Sequence, residues 1–223
     1  MKAILFGASG MIGQGVLREC LLDPTIERVL SIMRNPTGQQ NAKLTELVHT
    51  DFFDFSSIES QLAGYDACFY CAGPSAAGIT EEAYSHATYD MTLSAAKTLA
   101  RLNPAMTFVY ISGAGTDSTE KGGTMWARVK GKTENALLNL PFKAAYMFRP
   151  GIIQPLHGIQ SRTSGYRIFY SVTKPLLPVL RWLLPQHVTT TELLGRAMIR
   201  VAQTGYPKRV LEARDINSAS RAS

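Results

Sequence analysis

The chain has 223 residues, of which 45% are hydrophobic and 18% are charged. This composition is typical of a folded globular protein and excludes disordered and fibrous chains. The length is sufficient for one substantial core. The net charge of +6 comes mainly from residues 160–214, which hold nine Lys/Arg against Glu192 and Glu212. Because no known nucleic-acid-binding module accompanies this basic segment, we expect no nucleic-acid partner.

Short apolar runs alternate with helical segments, a pattern typical of βαβ units. Strands are predicted at 2–6, 28–33, 44–49, 67–71, 107–112, 144–148 and 209–212, and helices at 11–22, 57–62, 81–102, 124–139 and 191–203. This order predicts an α/β fold, a doubly wound parallel sheet (Rossmann fold) with a small C-terminal elaboration. We expect a single NAD(P)-binding domain over 1–217, with a lid or pocket segment at about 151–190, and a disordered tail at 218–223.

The three cysteines, Cys20, Cys68 and Cys71, are an odd number, which argues against a disulfide framework. Cys68 and Cys71 lie in one predicted strand, where positions three apart face opposite sides of the sheet. We therefore interpret them as core thiols and predict no metal site. Because a predicted strand begins at Lys2, we expect no cleaved leader and a cytoplasmic location.

A glycine-rich turn follows the first predicted strand and opens the first predicted helix. Its sequence is Gly7-Ala8-Ser9-Gly10-Met11-Ile12-Gly13. Glycines at this spacing allow a sharp turn, close approach of the backbone to a pyrophosphate, and tight packing of helix on strand. The free N–H groups of the helix N-terminus then face the phosphates. The turn therefore predicts a dinucleotide site formed by Gly7, Ser9, Gly10, Met11, Ile12 and Gly13.

The end of the second predicted strand indicates which dinucleotide is bound. NAD sites normally have a carboxylate there, which bonds the ribose hydroxyls. This chain instead reads Met33-Arg34-Asn35, and the next carboxylate is Glu46. The planar fork of an arginine suits a phosphate. We therefore expect Arg34 to bind the 2′-phosphate of NADP (NADPH), in preference to NAD.

With these residues in place, the chain resembles the short-chain dehydrogenase/reductase superfamily, and within it the atypical epimerase-like and Tat-interacting-protein-like branch. Further motifs carry the resemblance: Asp51-Phe52, Cys71-Ala72-Gly73, Ser112, Lys130 and Arg149-Pro150-Gly151. The resemblance implies adenine contact by Asp51 and Phe52, cofactor contact by Ala72 and Gly73, and a catalytic serine at Ser112. It also implies that Lys130 bonds the nicotinamide ribose as part of the catalytic site.

The chain departs from that family at one position. Trp126 stands four residues before Lys130, where the family has the tyrosine that acts as general acid. An indole N–H donates a hydrogen bond but does not give up its proton at physiological pH. Tyr84, Tyr110 and His157 lie near the expected site, yet none of them is assigned as the acid.

Two functions follow from this pattern. The first is an NADP-dependent oxidoreductase that moves hydride to or from a small apolar carbonyl or enone without the usual tyrosine. The alternative is a catalytically silent NADP(H)-binding regulatory or redox-sensing protein. The apolar and basic segment from 166 to 184 would close the substrate pocket, or would contact a second subunit or a membrane surface. It is too short to span a membrane.

Overall fold

The computed structural model describes residues 1–159 and 187–221. Nine strands occur in these residues: β1 (Lys2–Phe6), β2 (Arg28–Met33), β3 (Leu44–Val48), β4 (Ala67–Tyr70), β5 (Thr107–Ile111), β6 (Ala144–Arg149), β7 (Ile152–Gln154), β8 (Val188–Thr190) and β9 (Val210–Glu212). The helices are α1 (Met11–Leu22), α2 (Glu59–Leu62), α3 (Glu81–Ser85), α4 (Met91–Leu102), α5 (Met125–Leu138), α6 (Thr191–Thr204) and α7 (Ala213–Ala219). A short 3₁₀ turn, Ser56–Ile58, precedes α2.

The central sheet has seven parallel strands in the order β3-β2-β1-β4-β5-β6-β9. The chain adds strands outward from β1 to β3 and then returns to add β4 on the other side of β1. The direction of winding therefore reverses between β1 and β4, the point at which doubly wound sheets bind ligands beyond the carboxyl ends of their strands. The predicted α/β, Rossmann-type fold is confirmed.

Both faces of the sheet are covered, as a parallel sheet requires. One core cluster packs α1 and α6 against the sheet, and the other packs α4 and the segment around Phe55 against the opposite face. Cys68 belongs to the second cluster and Cys71 packs against the first, so the two thiols face opposite sides as predicted. Burial raises the pKa of both thiols, which keeps them protonated.

The predicted helix at 81–102 is interrupted. Its middle, His86–Asp90, forms a π-helical turn between α3 and α4. The wider turn changes the direction in which side chains point, and π-helical turns are frequent at functional sites. Here the turn brings Ala87 to the edge of the cleft described below.

The C-terminal part differs most from the sequence predictions. Strands β7 and β8 pair in a small parallel sheet that the sequence did not predict. The predicted disordered tail is wrong at residues 218 and 219, which end α7. This helix starts with a reciprocal cap between Glu212 and Asp215 and is anchored by the fully buried Ile216. Residues 160–186 of the predicted lid lie outside the described residues.

Candidate functional site

Two clefts meet at the carboxyl edge of the sheet. The first, of about 330 Å³, lies over β1 and β2 and is lined by Gly7, Ala8, Ser9, Ile32, Met33, Arg34, Asn35, Thr50, Phe52, Phe53, Ala72, Gly73, Pro74, Ala87 and Met91. The second, of about 690 Å³, lies over β5 and is lined by Gly73, Pro74, Ser75, Ala76, Ala77, Tyr84, Ser112, Gly113, Ala114, Trp126, Lys130, Pro150, Gly151 and Ile152. Because Gly73 and Pro74 line both clefts, the clefts adjoin at these two residues.

The glycine-rich turn packs closely against neighbouring backbone and leaves the start of α1 uncapped. A side chain at Gly7, whose φ is +80°, would place its Cβ 2.7 Å from the Ala72 backbone nitrogen. At Gly13 the Cβ would lie 2.0 Å from the Gly7 carbonyl oxygen, because helix and strand are packed so closely. Gly10 caps α1 without any side-chain hydrogen bond, so the first N–H groups of the helix, beginning at Met11 and Ile12, are not capped. The cradle therefore fits the phosphates of a dinucleotide.

The end of β2 presents a cation with no opposing carboxylate. Arg34 lines the first cleft and is exposed, and among residues 1–159 and 187–221 it forms no ion pair. Glu46, the next carboxylate along the chain, is engaged elsewhere: it accepts hydrogen bonds from the backbone N–H groups of Thr37 and Gly38 and from the Thr37 hydroxyl. An anionic group bound here would therefore meet Arg34 without a competing carboxylate.

Of the two residues after β3 that were predicted to contact the adenine, one lines the first cleft and the other does not. Phe52 lines the first cleft, whereas Asp51 does not: its carboxylate accepts the backbone N–H of Phe53 at 2.9 Å in a local turn. The structure therefore does not bring Asp51 to the cleft. Thr50 and Phe53, on either side of the predicted pair, line the cleft instead.

Ser112 is held by a buried ion pair. Its hydroxyl donates to the Glu134 carboxylate and also lies 3.1 Å from the Phe148 carbonyl oxygen. Glu134 is fully buried, and Arg149 donates to it through Nε, at 3.0 Å from Oε1, and through Nη2. The single proton of the serine hydroxyl is therefore directed into the protein, so the hydroxyl offers only lone pairs to a substrate. Arg149, from the predicted Arg-Pro-Gly motif, acts as a structural cation.

Lys130 lies on the floor of the second cleft. Its ammonium Nζ donates to the Ser112 carbonyl oxygen at 2.6 Å, with the Ile111 carbonyl oxygen at 3.4 Å. It also lies 5.8 Å from the centre of the Tyr110 ring. Removal from water lowers the pKa of Lys130 to about 8, against the opposing effect of the Glu134 carboxylate, which favours the charged form. The ammonium is therefore poised to titrate near neutral pH.

Trp126 forms a wall of the same cleft. Its indole lies against the loop after β5, where a Cβ built on Gly115 would be 3.6 Å from the ring atom Cη2. The position that holds a hydroxyl in the resembled family thus presents an aromatic surface. This wall favours an apolar substrate.

Sequence reasoning missed Glu134 and the cleft residues 74–77. Glu134 had a detectable signal, since it follows Lys130 by four residues and so lies on the same helical face. Tyr84 was considered as a candidate and is placed in the second cleft, 2% exposed. His157, in contrast, points to Glu192 on α6, at 2.8 Å.

No group of three or more potential metal ligands occurs in the described parts of the chain. Within the same residues, no helix is both long enough and apolar enough to cross a membrane.

Comparison with known proteins identifies the family. A model of the family described as NAD(P)H-binding matches residues 7–138, which run from the glycine turn to the end of α5. The chain belongs to this NAD(P)H-binding family. The predicted resemblance to the short-chain dehydrogenase/reductase superfamily and its atypical members is likewise confirmed. Binding of NAD(P) is a property of the family, and the match to the family does not distinguish NAD from NADP.

Solved structures share the fold of this family member at low sequence identity. A dTDP-glucose 4,6-dehydratase from Streptomyces venezuelae, solved with NAD bound, superposes with a TM-score of 0.68 at 15% identity and covers 96% of this chain and 75% of its own. A short-chain dehydrogenase/reductase family oxidoreductase from Burkholderia thailandensis gives 0.67 at 15%, with 98% and 92% covered. At this identity the likeness shows the fold alone.

Curated relatives are more similar in sequence. Protein fmp52 of Emericella nidulans is 31% identical over 67% of this chain and 65% of its own length. The leucinostatins biosynthesis cluster protein T of Purpureocillium lilacinum is 29% identical over 63% and 52% respectively. The chain thus spans less than two thirds of the length of these two relatives.

These relatives correct one prediction. The fmp52 proteins of E. nidulans and Saccharomyces cerevisiae, the latter 28% identical over 74% of this chain and 71% of its own, are named as mitochondrial proteins. The predicted cytoplasmic location is therefore wrong. It rested on the odd number of cysteines and on the predicted strand at Lys2. Unpaired cysteines indicate only that no disulfide framework is needed, so they do not distinguish one reducing compartment from another.

Proposed function

We propose that this family member is an NADP(H)-dependent oxidoreductase that acts on a small apolar carbonyl compound or enone. The observation that carries the proposal is that the two clefts adjoin at Gly73 and Pro74, with Lys130 lining the second. A bound nicotinamide would supply or accept a hydride. The glycine turn would bind the pyrophosphate of the dinucleotide, and Lys130 would bond the nicotinamide ribose. Trp126 would contact the substrate.

The preference for NADP(H) rests on the charges at the end of β2. Arg34 is exposed and forms no ion pair with a carboxylate among the described residues. The Glu46 carboxylate already accepts hydrogen bonds from the backbone N–H groups of Thr37 and Gly38. An NAD site would place a carboxylate where Arg34 stands. A 2′-phosphate there would gain charge-assisted hydrogen bonds from the guanidinium.

Replacing Arg34 with alanine is expected to weaken NADPH binding by about tenfold to a hundredfold, since a hydrogen bond to a charged group contributes roughly 1.5–3 kcal/mol. NADH has no 2′-phosphate, so its affinity should change by less than about twofold. Calorimetric titration with each dinucleotide measures both effects. Arg101→Ala is the control, because Arg101 pairs with Glu59 on the protein surface. Equal weakening of NADPH and NADH by Arg34→Ala would contradict the assignment.

The substrate class is tested by NADPH oxidation with a panel of small apolar aldehydes, ketones and enones, including benzaldehyde and cyclohexenone. Turnover of at least one compound is expected, because the second cleft is walled by Trp126 and lined by small apolar residues. Charged sugar-like compounds should be poor substrates, since Lys130 is the one charged side chain among the described residues that line the cleft.

A second function, a catalytically silent NADP(H)-binding regulator, is favoured by two observations. Trp126 replaces the usual acid, and the hydroxyl proton of Ser112 is directed to Glu134. A regulator would bind NADPH and turn over no compound of the panel, and Lys130→Ala would lower only its cofactor affinity. In an oxidoreductase, the same substitution would lower turnover by orders of magnitude.

A further inference from the structure

The second cleft lacks the hydroxyl that normally donates a proton in carbonyl reduction. Trp126 cannot release its indole proton at working pH, and the Ser112 proton is committed to Glu134 and the Phe148 carbonyl oxygen. Ser75 also lines the cleft, but an aliphatic hydroxyl does not ionise near neutral pH. Among the described residues that line the cleft, Lys130 and Tyr84 are then the two side chains with a titratable proton. Among the described residues that line the cleft, the candidate proton donors are therefore Lys130 and Tyr84.

The hydrogen bonds of Lys130 leave it free to donate. Its ammonium has three N–H groups, and two backbone carbonyl oxygens, of Ser112 and Ile111, accept from it on one side. The contact to the Ile111 carbonyl oxygen, at 3.4 Å, is long for a hydrogen bond, so two of the three N–H groups can serve the cleft, one for the ribose and one for the substrate oxygen. Lys130 is only partly buried, so water can return a proton to it, whereas Tyr84 is 2% exposed.

The charged and titratable groups around Lys130 do not neutralise it. Glu134, one turn along the same helix, is bound by Arg149 and Ser112, and no ion pair joins it to Lys130 among the described residues. Strand β5 contributes the Tyr110 ring, 5.8 Å from Nζ, and α3 contributes Tyr84 across the cleft. The side chain is therefore held by neutral acceptors, an arrangement that permits proton release.

We propose that Lys130 is itself the proton donor of the reaction, and that its ammonium protonates the substrate oxygen in place of the absent tyrosine. This inference rests on the proposed oxidoreductase function. The hydride and its electron pair come from the reduced nicotinamide, which is oxidised, and the carbonyl carbon is reduced. The carbonyl oxygen takes the proton from Nζ, which leaves an alcohol and a neutral amine. Water then restores the ammonium.

The pKa of Lys130, near 8, suits this role, because a general acid works best when its pKa lies close to the operating pH. As the pH rises through that value the ammonium loses its proton, so the rate should fall. With benzaldehyde as the probe, kcat of the NADPH-loaded enzyme is expected to fall about tenfold per pH unit above pH 8. A rate that stays constant from pH 7 to pH 10 would overturn the proposal.

Lys130→Arg separates proton donation from cofactor binding. A guanidinium keeps the positive charge and the donors for the carbonyl oxygens and ribose, but it does not deprotonate in a protein. We expect kcat for benzaldehyde to fall about 100-fold or more, while the calorimetric Kd for NADPH changes less than threefold. The matched control is Lys132→Arg on the same helix, where the lysine is exposed and lies over the Tyr89 ring. It should leave both quantities unchanged.

A readout independent of activity is the reactivity of the amine. Acetylation of Lys130 by acetic anhydride, followed across pH by mass spectrometry, should reach half its maximum near pH 8 rather than near the 10.4 typical of lysine. In the Lys132→Arg protein the same profile should be retained. A profile with its midpoint above pH 10 would overturn the proposal even if turnover were found.

The outcomes distinguish this proposal from the proposed function. Turnover by Lys130→Arg at the wild-type rate overturns the lysine donor and leaves the oxidoreductase standing. A loss of kcat in Tyr84→Phe as large as that in Lys130→Arg assigns the proton to the phenol and also overturns it. NADPH binding without turnover of any panel compound by the wild-type protein overturns the oxidoreductase function, and the lysine donor falls with it.

Discussion

Replacing Gly13 with alanine is expected to lower the free energy of unfolding by about 3 kcal/mol and to abolish measurable NADPH binding. The new Cβ would lie 2.0 Å from the Gly7 carbonyl oxygen and 2.9 Å from the Ala8 Cα, distances at which backbone must move. Overpacking of this kind typically costs roughly 1–3 kcal/mol, and more where backbone must shift. The displaced turn would no longer direct its N–H groups at a pyrophosphate.

Gly10→Ala separates the contribution of the turn to stability from its contribution to NADPH binding. Its Cβ would have the Gly7 carbonyl oxygen as nearest neighbour, at 3.4 Å, an ordinary contact. Gly10 has φ −82° and ψ 164°, which alanine also adopts. The protein should therefore lose only about 1 kcal/mol or less, the scale of an N-cap change. NADPH affinity should nevertheless fall at least about tenfold, because the methyl group occupies the path of the phosphate.

Urea denaturation and calorimetric titration with NADPH measure the two effects for each variant. Gly123→Ala is the control for a glycine with space around it, since no atom lies within 4 Å of its Cβ position. It should leave stability within about 0.5 kcal/mol, as is usual for surface substitutions. Tight NADPH binding by Gly10→Ala would show that the dinucleotide does not lie on this turn.

The parts of the fold that depend on local patterns were predictable. The central strands of the main sheet are runs of largely buried apolar residues, whereas its edge strands β3 and β9 are more exposed. The predicted bounds of all seven strands agree with the structure to within one residue. Gly7 and Arg34 directly follow β1 and β2, at the carboxyl ends of strands, and Lys130 on α5 reaches the end of β5 through its bond to the Ser112 carbonyl oxygen. Their placement follows from topology, while their roles stay predictions.

The parts that depend on contacts between distant segments were not predictable. The Ser112 hydroxyl is directed inward by Glu134 and Arg149, which lie 22 and 37 residues further along the chain. Asp51 follows its strand as expected, but a turn to Phe53 uses its carboxylate. In both cases the residue type suits the predicted role. A hydrogen bond that the sequence does not reveal directs the side chain to another partner.

Glu134→Ala is expected to lower the free energy of unfolding by about 3–5 kcal/mol, the range found when one partner of a buried ion pair is removed. Glu134 is fully buried, and the Arg149 side chain is 12% exposed. Without the carboxylate, the guanidinium would keep two partners among the described residues, the Ser118 hydroxyl and Glu212, the latter at 3.4 Å. Urea denaturation measures the loss. Glu59→Ala, which removes an exposed pair with Arg101, should cost about 1 kcal/mol or less.

The double variant Glu134→Leu/Arg149→Met should recover most of that stability, because apolar side chains of similar volume remove both buried charges together. If it does, the ion pair contributes little net stability, and its effect is to direct the Ser112 proton. The hydroxyl would then keep the Phe148 carbonyl oxygen as its acceptor and could turn to the cleft. A double variant no more stable than Glu134→Ala would instead show that this site requires the two charges to pack α5 against β6.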